Sequence, residues 1–112
     1  MSYQPPVCST PTFERHCLAL APRYPALRED IAHLAELLTL QPTQGELLGG
    51  TLYWAQLPLA AKPKAKRLGV VWAVRRGKVF LLLAFELRRL AGYEEPVLDR
   101  LRAEGTRLML ET

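Results

Sequence analysis

The stretch PALREDIAHLAELLTLQPTQGELLGGTLYWAQLPL, residues 25–59, contains the change of pattern that decides the fold. Its first half repeats apolar residues with the spacing i, i+4, i+7 and i+11, which predicts an amphipathic helix that opens at Pro25. Those apolar positions are Leu27, Ile31, Leu34 and Leu38. Residues 41–45 are typical of a helix end, and after Gly49 and Gly50 the pattern over residues 52–59 becomes that of a strand. One helix followed by strands therefore forms the centre of the chain.

The residues before this stretch predict a strand and a further helix. Residues 3–9 are short and interrupted by prolines, which is typical of an edge strand. Thr10 followed by Pro11 predicts a helix start, because the hydroxyl can cap the helix and proline is favoured at the first helical position. Pro22 is expected to stop this helix, and the short linker to the next one favours an antiparallel pair of helices.

The residues after the central stretch predict two strands and a last helix. Residues 70–74 and 79–87 are apolar at nearly every position, as expected for strands that are covered on both faces. Residues 76–77, Arg-Gly, predict a tight hairpin turn between them. Residues 94–104 have helical spacing, and Gly105 is expected to end that helix.

The predicted order of elements is β, α, α, β, β, β, α. This order predicts an α+β fold in which two N-terminal helices pack on a small twisted antiparallel sheet of three or four strands, with a C-terminal helix. The length of 112 residues fits one domain, so we expect residues 1–112 to form a single unit.

Charge is unevenly distributed along the chain. The whole sequence has a formal net charge of +4, but residues 56–93 carry nine basic residues and one acidic residue, a net of +8. The basic residues of that stretch are Lys62, Lys64, Lys66, Arg67, Arg75, Arg76, Lys78, Arg88 and Arg89. Such a stretch favours a surface that faces a polyanion, although a solvated basic loop that serves solubility has the same composition.

Several function classes are not indicated by the sequence. Two cysteines do not make a disulfide framework, and no apolar run is long enough to cross a membrane, so we expect a cytoplasmic protein without a membrane partner. His16 and His33 have no second histidine or cysteine at metal-ligand spacing, so neither a metal site nor a cofactor is expected. Trp54 and Trp72 lie in predicted strands and are expected to be core or partner-contact residues.

Four motifs in order carry a resemblance to a known family. They are TPTFER (10–15), YPALREDI (24–31), PTQGELLGGTLY (42–53) and the lysine-alternating AKPKAKRLGVVW (61–72). Together they make the chain resemble the RelE/ParE superfamily of toxins from type II toxin–antitoxin systems, over roughly residues 3–90. The resemblance to the RelE branch implies a ribosome-dependent, metal-independent endonuclease that cleaves mRNA in the ribosomal A site and is inactivated by a cognate antitoxin.

The resemblance also implies site residues. The family uses lysines and arginines, often with a tyrosine near the C-terminus, to bind the phosphate and move protons. Carried over to this chain, the candidate catalytic residues are Lys62, Lys64, Lys66, Arg67 and Tyr93. The candidate RNA-binding residues are Arg75, Arg76, Lys78, Arg88 and Arg89. Charges at a hairpin tip also serve solubility and protect a sheet edge, so the assignment of residues 75–78 has a plain structural alternative.

Two departures from the family pattern leave alternatives open. Gly69 stands where the family has an arginine, and Phe85 stands where it has a tyrosine, so Arg67 and Tyr93 are interpreted as substitutes. Glu86 places a carboxylate among the cations, where it repels a phosphate unless it acts as the base. These departures favour a ParE-like inhibitor of DNA gyrase, or a catalytically degenerate module that only binds its antitoxin, whereas the lysines favour the endonuclease.

Overall fold

The computed structural model describes residues 6–57, 67–87 and 94–111. Its elements in chain order are strand β1 (Val7–Ser9), helix α1 (Pro11–Leu20), helix α2 (Leu27–Leu40), strand β2 (Glu46–Gly49), strand β3 (Leu52–Leu57), strand β4 (Arg67–Arg75), strand β5 (Lys78–Leu87) and helix α3 (Glu94–Glu111). The predicted fold class is confirmed: two helices precede the main strands of an α+β fold, and a helix follows them.

The strands of the described ranges form one sheet in the order β1-β5-β4-β3-β2. Strands β2 to β5 pair antiparallel with their neighbours, and β1 pairs parallel with β5. The sequence predicted three or four strands, all antiparallel, whereas the described residues form five strands, of which β1 is parallel to its neighbour. The additional strand β2 lies in residues that were interpreted as a turn. Strand β1 is parallel to β5 because strands β2 to β5 alternate in direction and β2, the first of them, runs opposite to β1.

Each face of the sheet is covered by helices. On one face, called the helix-pair face, Phe13 of α1 and Leu34 of α2 pack against Val70 and Trp72. On the other, called the α3 face, Leu101 and Leu108 pack against residues that include Val71 and Leu52. Burial on both sides explains why strands β4 and β5 are apolar at nearly every position.

A bulge in strand β5 fits its unbroken apolar run to these two faces. Val71 pairs with Leu83 and the next residue, Trp72, pairs with Leu81, so Leu82 is an extra residue. Leu82 and Leu83 consequently both belong to the cluster on the α3 face, while Leu81 belongs to the helix-pair face.

The start of α1 agrees with its predicted cap. The Thr10 hydroxyl accepts a hydrogen bond from the Phe13 N–H at 3.3 Å and donates one to the Leu81 carbonyl at 2.8 Å. It therefore caps the helix and ties it to strand β5. Helix α1 ends at Leu20, before the predicted stop. Ala21 is still helical and its N–H donates to the Cys17 carbonyl, but Pro22 has no N–H to continue the hydrogen-bond ladder. Helix α2 begins at Leu27, two residues after Pro25.

The predicted end of the last helix at Gly105 is wrong. Helix α3 continues through Gly105 to Glu111, and Gly105 is buried against the sheet. A Cβ atom at this position would lie 3.1 and 3.3 Å from the Leu52 methyl groups and 3.7 Å from Val71. The glycine therefore permits close helix–sheet packing, which local sequence does not distinguish from a helix end.

Candidate functional site

Part of the predicted site lies outside the described residues. Lys62, Lys64, Lys66 and Tyr93 of the predicted catalytic set lie there, as do the predicted RNA-binding residues Arg88 and Arg89. Arg67 is the first residue of β4, but only its backbone is described.

The strand register nevertheless locates the ends of the lysine segment, residues 58–66. The chain leaves the described residues at Leu57 and returns at Arg67, and Leu57 pairs with Leu68. Arg67 in turn pairs with Leu87 at the last position of β5. Both ends of the lysine segment are therefore attached to one end of the sheet, called here the lysine end.

A cluster of polar side chains lies at the lysine end on the helix-pair face. Glu86 pairs in register with Leu68, and its carboxylate forms an ion pair with the guanidinium of Arg23 from the α1–α2 connection. Burial raises the pKa of Tyr24, and the charge and hydrogen bond of the Glu86 carboxylate raise it further. Glu86 is thus held by Arg23 and Tyr24, so it does not present an uncompensated negative charge beside the lysine segment.

The two departures from the family pattern form a contact on the α3 face. Gly69 and Phe85 are register partners on adjacent strands. The Phe85 ring covers the position that a Gly69 side chain would occupy, since a Cβ atom there would lie 2.6 and 2.8 Å from the Cε2 and Cε1 atoms of the ring. The side chains at residues 69 and 85 are therefore coupled by packing, and any side chain at residue 69 would require the Phe85 ring to move.

The remaining predicted cations lie at the opposite end of the sheet. Arg75, Arg76 and Lys78 surround the β4–β5 turn and are exposed. Positive φ angles of 51° at Arg76 and 73° at Gly77 match the two-residue turn that the sequence predicts. Eight residue steps of about 3.3 Å separate Arg67 from Arg75, so the two basic groups lie roughly 26 Å apart along β4. They cannot contact the same phosphate.

A concave surface at this hairpin end was missed by the sequence analysis. Two adjacent cavities of about 240 and 450 Å³ share Arg75 and Met109 as lining residues. Arg102 of α3 lines the larger one, and its Nε donates a hydrogen bond to the Leu48 carbonyl at 2.5 Å. No local pattern indicates this surface, because it requires α3 to continue past Gly105 and reach the β2–β3 turn.

Other candidate residues have structural roles. Trp72 is fully buried, and its indole N–H donates to the Pro42 carbonyl at 2.9 Å, which agrees with the expected core role. His16 Nδ1 accepts a hydrogen bond from the Ala84 N–H at 3.2 Å, and burial lowers the pKa of His16. Burial likewise raises the pKa of Cys17 to about 11, so this thiol is protonated at neutral pH.

The chain was also compared with known proteins. No family model matches it, and no curated protein matches it. Within the described ranges, no group of three His, Cys, Asp or Glu side chains is placed to hold a metal ion, and no helix has the length and apolarity needed to span a membrane. Since one fold hosts many activities, the evidence on function comes from the lysine end of the sheet and from the hairpin end with its exposed cations.

Proposed function

We propose that this chain is a toxin of a type II toxin–antitoxin system that cleaves ribosome-bound mRNA without a metal and is inactivated by a cognate antitoxin. The observation that carries the proposal is the attachment of the lysine segment at one end of the sheet, beside the polar cluster of Arg23, Tyr24 and Glu86. The order of motifs that resembles the RelE/ParE superfamily supports the same reading.

The proposed reaction is an internal displacement at one phosphate. The ribose 2′-oxygen forms a bond to phosphorus, the bond from phosphorus to the 5′-oxygen breaks, and a 2′,3′-cyclic phosphate and a 5′-hydroxyl result. A base takes the proton of the 2′-hydroxyl, and a donor returns a proton to the leaving 5′-oxygen. Lys62, Lys64, Lys66 and Arg67 supply the positive charge that the transition state requires, and Tyr93 is the proposed proton donor.

The contact between Gly69 and Phe85 favours a second candidate function. Because the ring fills the place of the missing arginine, the sheet on the α3 face has lost two groups that the family resemblance implies. A catalytically degenerate module that binds an antitoxin and cleaves no RNA is consistent with this loss. The two candidates differ in whether the lysine segment alone sustains cleavage.

The test is inducible expression in bacteria with mapping of mRNA 5′ ends, followed by cleavage of a defined mRNA on purified ribosomes. We expect Lys64→Ala and Arg67→Ala to lower the cleavage rate about 100-fold, because removal of a cation that stabilises the transition state typically costs that much. Arg28→Ala is the control, since Arg28 is exposed on α2 and belongs to neither basic end.

Two other results would reject the endonuclease, and a third would reject the site assigned to it. Intact mRNA together with inhibited gyrase supercoiling would indicate the gyrase inhibitor. Intact mRNA and normal gyrase activity, with specific binding of the protein encoded by the adjacent reading frame, would indicate the degenerate module. Cleavage that Lys64→Ala and Arg67→Ala leave unchanged would place the chemistry elsewhere on the chain.

A further inference from the structure

The hairpin end of the sheet has a groove that the proposed cleavage does not use. Its walls come from three places distant in sequence: the β2–β3 turn, the β4–β5 hairpin and the last turns of α3. The two adjacent cavities give it a length greater than one side chain, and the groove lies roughly 26 Å from the lysine end, counted as eight residue steps along β4. It is therefore a separate surface with its own chemistry.

The rim of the groove is positively charged and unbalanced. Arg75, Arg76 and Lys78 are exposed, and none of the ion pairs found in the described residues involves them. The two basic residues of α3 nearest this end differ, because Arg102 pairs with Asp99 and Arg107 pairs with glutamates of its own helix. The hairpin therefore presents its cations to a ligand from outside the described residues.

The floor and one wall of the groove are apolar. Met109 is buried and lines both cavities, and the half-buried Phe80 lines the smaller one. Leu110 lines the larger cavity but is 83% exposed, which is the highest exposure among the large apolar side chains that the structure describes. An exposed leucine beside an apolar cavity indicates a surface where contact with a partner would remove apolar area from water.

We propose that this groove binds an acidic peptide segment of a partner protein, with carboxylates on the hairpin cations and an apolar side chain in the larger cavity. A peptide uses both halves of the surface, because its charges match the rim and an aliphatic anchor covers Met109 and Leu110. A nucleic acid would pair its phosphates with the rim cations only, since phosphates and sugars make no favourable contacts with an aliphatic wall. Peptide binding in this groove is independent of the proposed endonuclease, because the groove contains no residue of the lysine end.

The test measures binding of three fluorescent probes to the intact protein by anisotropy. The first is a short peptide of alternating glutamate and leucine, the second has serine in place of leucine, and the third is a single-stranded oligouridylate. We expect the leucine peptide to bind about tenfold more tightly than the serine peptide, the effect of covering one anchor side chain. Any binding of the oligouridylate is expected at the lysine end, so it should not change when the hairpin cations are removed.

Two variants locate the binding site. Arg75→Gln/Lys78→Gln removes two rim cations and is expected to weaken the leucine peptide on the order of tenfold, because each exposed ion pair contributes a factor of up to about five. Thr106→Trp places a large side chain at an exposed helix position that lines the larger cavity, and it is expected to abolish the preference for leucine over serine. Arg28→Gln/Arg100→Gln removes the same charge elsewhere and is the control.

Each contrary result overturns the proposal. Equal binding of the two peptides would mean that only charge is recognised. Tightest binding by the oligouridylate, lost in the hairpin variant, would make the groove a nucleic-acid surface. Binding of the leucine peptide that neither variant changes, or no binding by a protein whose circular dichroism spectrum is that of a folded chain, would show that the groove is not a peptide site.

Discussion

Replacing Gly69 with alanine introduces a methyl group into the space that the Phe85 ring occupies. The new Cβ atom would lie 2.6 and 2.8 Å from two ring carbons, so the ring must move by about 1 Å to reach ordinary contact. Overpacking of this kind costs about 1–3 kcal/mol, and the reduced freedom of the unfolded chain returns about 0.4–1 kcal/mol. We therefore expect Gly69→Ala to lower the free energy of unfolding by about 1–2 kcal/mol and Tm by about 4–8 °C.

A double-mutant cycle with Phe85→Leu tests whether the ring is the cause. The smaller side chain leaves room for the new methyl group, so the double variant should be more stable than the sum of the single effects by about 1 kcal/mol. Urea unfolding with an unchanged m-value provides the measurement. Phe80→Leu is the matched control because it lies on the same face but pairs with Ala73, so its effect should add to that of Gly69→Ala. Additive effects for Phe85→Leu would refute the packing argument.

Three further perturbations test other contacts. Thr10→Val should lower the free energy of unfolding by about 1–3 kcal/mol in urea titrations, because it removes the cap of α1 and a buried hydrogen bond to β5. Thr10→Ser keeps the hydroxyl and should retain most of the parent stability. Arg102→Met should cost about 1 kcal/mol by leaving the Leu48 carbonyl without this donor, and a variant as stable as the parent in thermal melts would exclude that role. Burial lowers the pKa of His16 in the folded chain, although the charge of Glu104 acts in the opposite direction. Below about pH 6.5 the unfolded chain therefore binds a proton that the folded chain does not. The free energy of unfolding should consequently fall as the pH falls below that value. The decline ends below the folded pKa, and His16→Gln, which keeps a side chain able to accept from Ala84, should decline less between about pH 7.5 and 5.

The parts of the fold that follow from local pattern were predictable. The spacing of Leu27, Leu34 and Leu38 predicted the buried face of helix α2, and all three residues are buried. The turn at Arg76 and Gly77 was predictable because a two-residue loop that contains glycine between two strand patterns is typical of a tight hairpin. Both residues have the positive φ angles of such a turn. In each case the signal and the structure involve residues close together in sequence.

The parts that depend on distant residues were not predictable. Gly105 has the local signature of a helix end, and only the proximity of Leu52 explains why it lies inside α3. The pairing of Gly69 with Phe85 likewise needs the register of β4 and β5, which the bulge at Leu82 shifts by one residue. The sequence therefore identified two unusual residues in the candidate site but could not indicate that they touch.

The strand geometry at the lysine end limits which residues could supply the groups that the family resemblance implies at residues 69 and 85. Phe85 faces α3, and because side chains alternate along a strand, Glu86 faces the helix pair, where Arg23 holds its carboxylate. Glu86 therefore cannot take the place of the tyrosine hydroxyl that the family resemblance implies at residue 85. The proposed cleavage at this end would draw its cations from the lysine segment, Arg67 and the Arg88 and Arg89 residues that follow β5 in sequence, so it should depend on those residues and not on Glu86. For that reason Glu86→Gln is expected to lower stability through the contact with Arg23 while it leaves the rate of the proposed mRNA cleavage by the folded protein nearly unchanged. A large fall in the cleavage rate with unchanged stability would identify Glu86 as the base and contradict this assignment of faces.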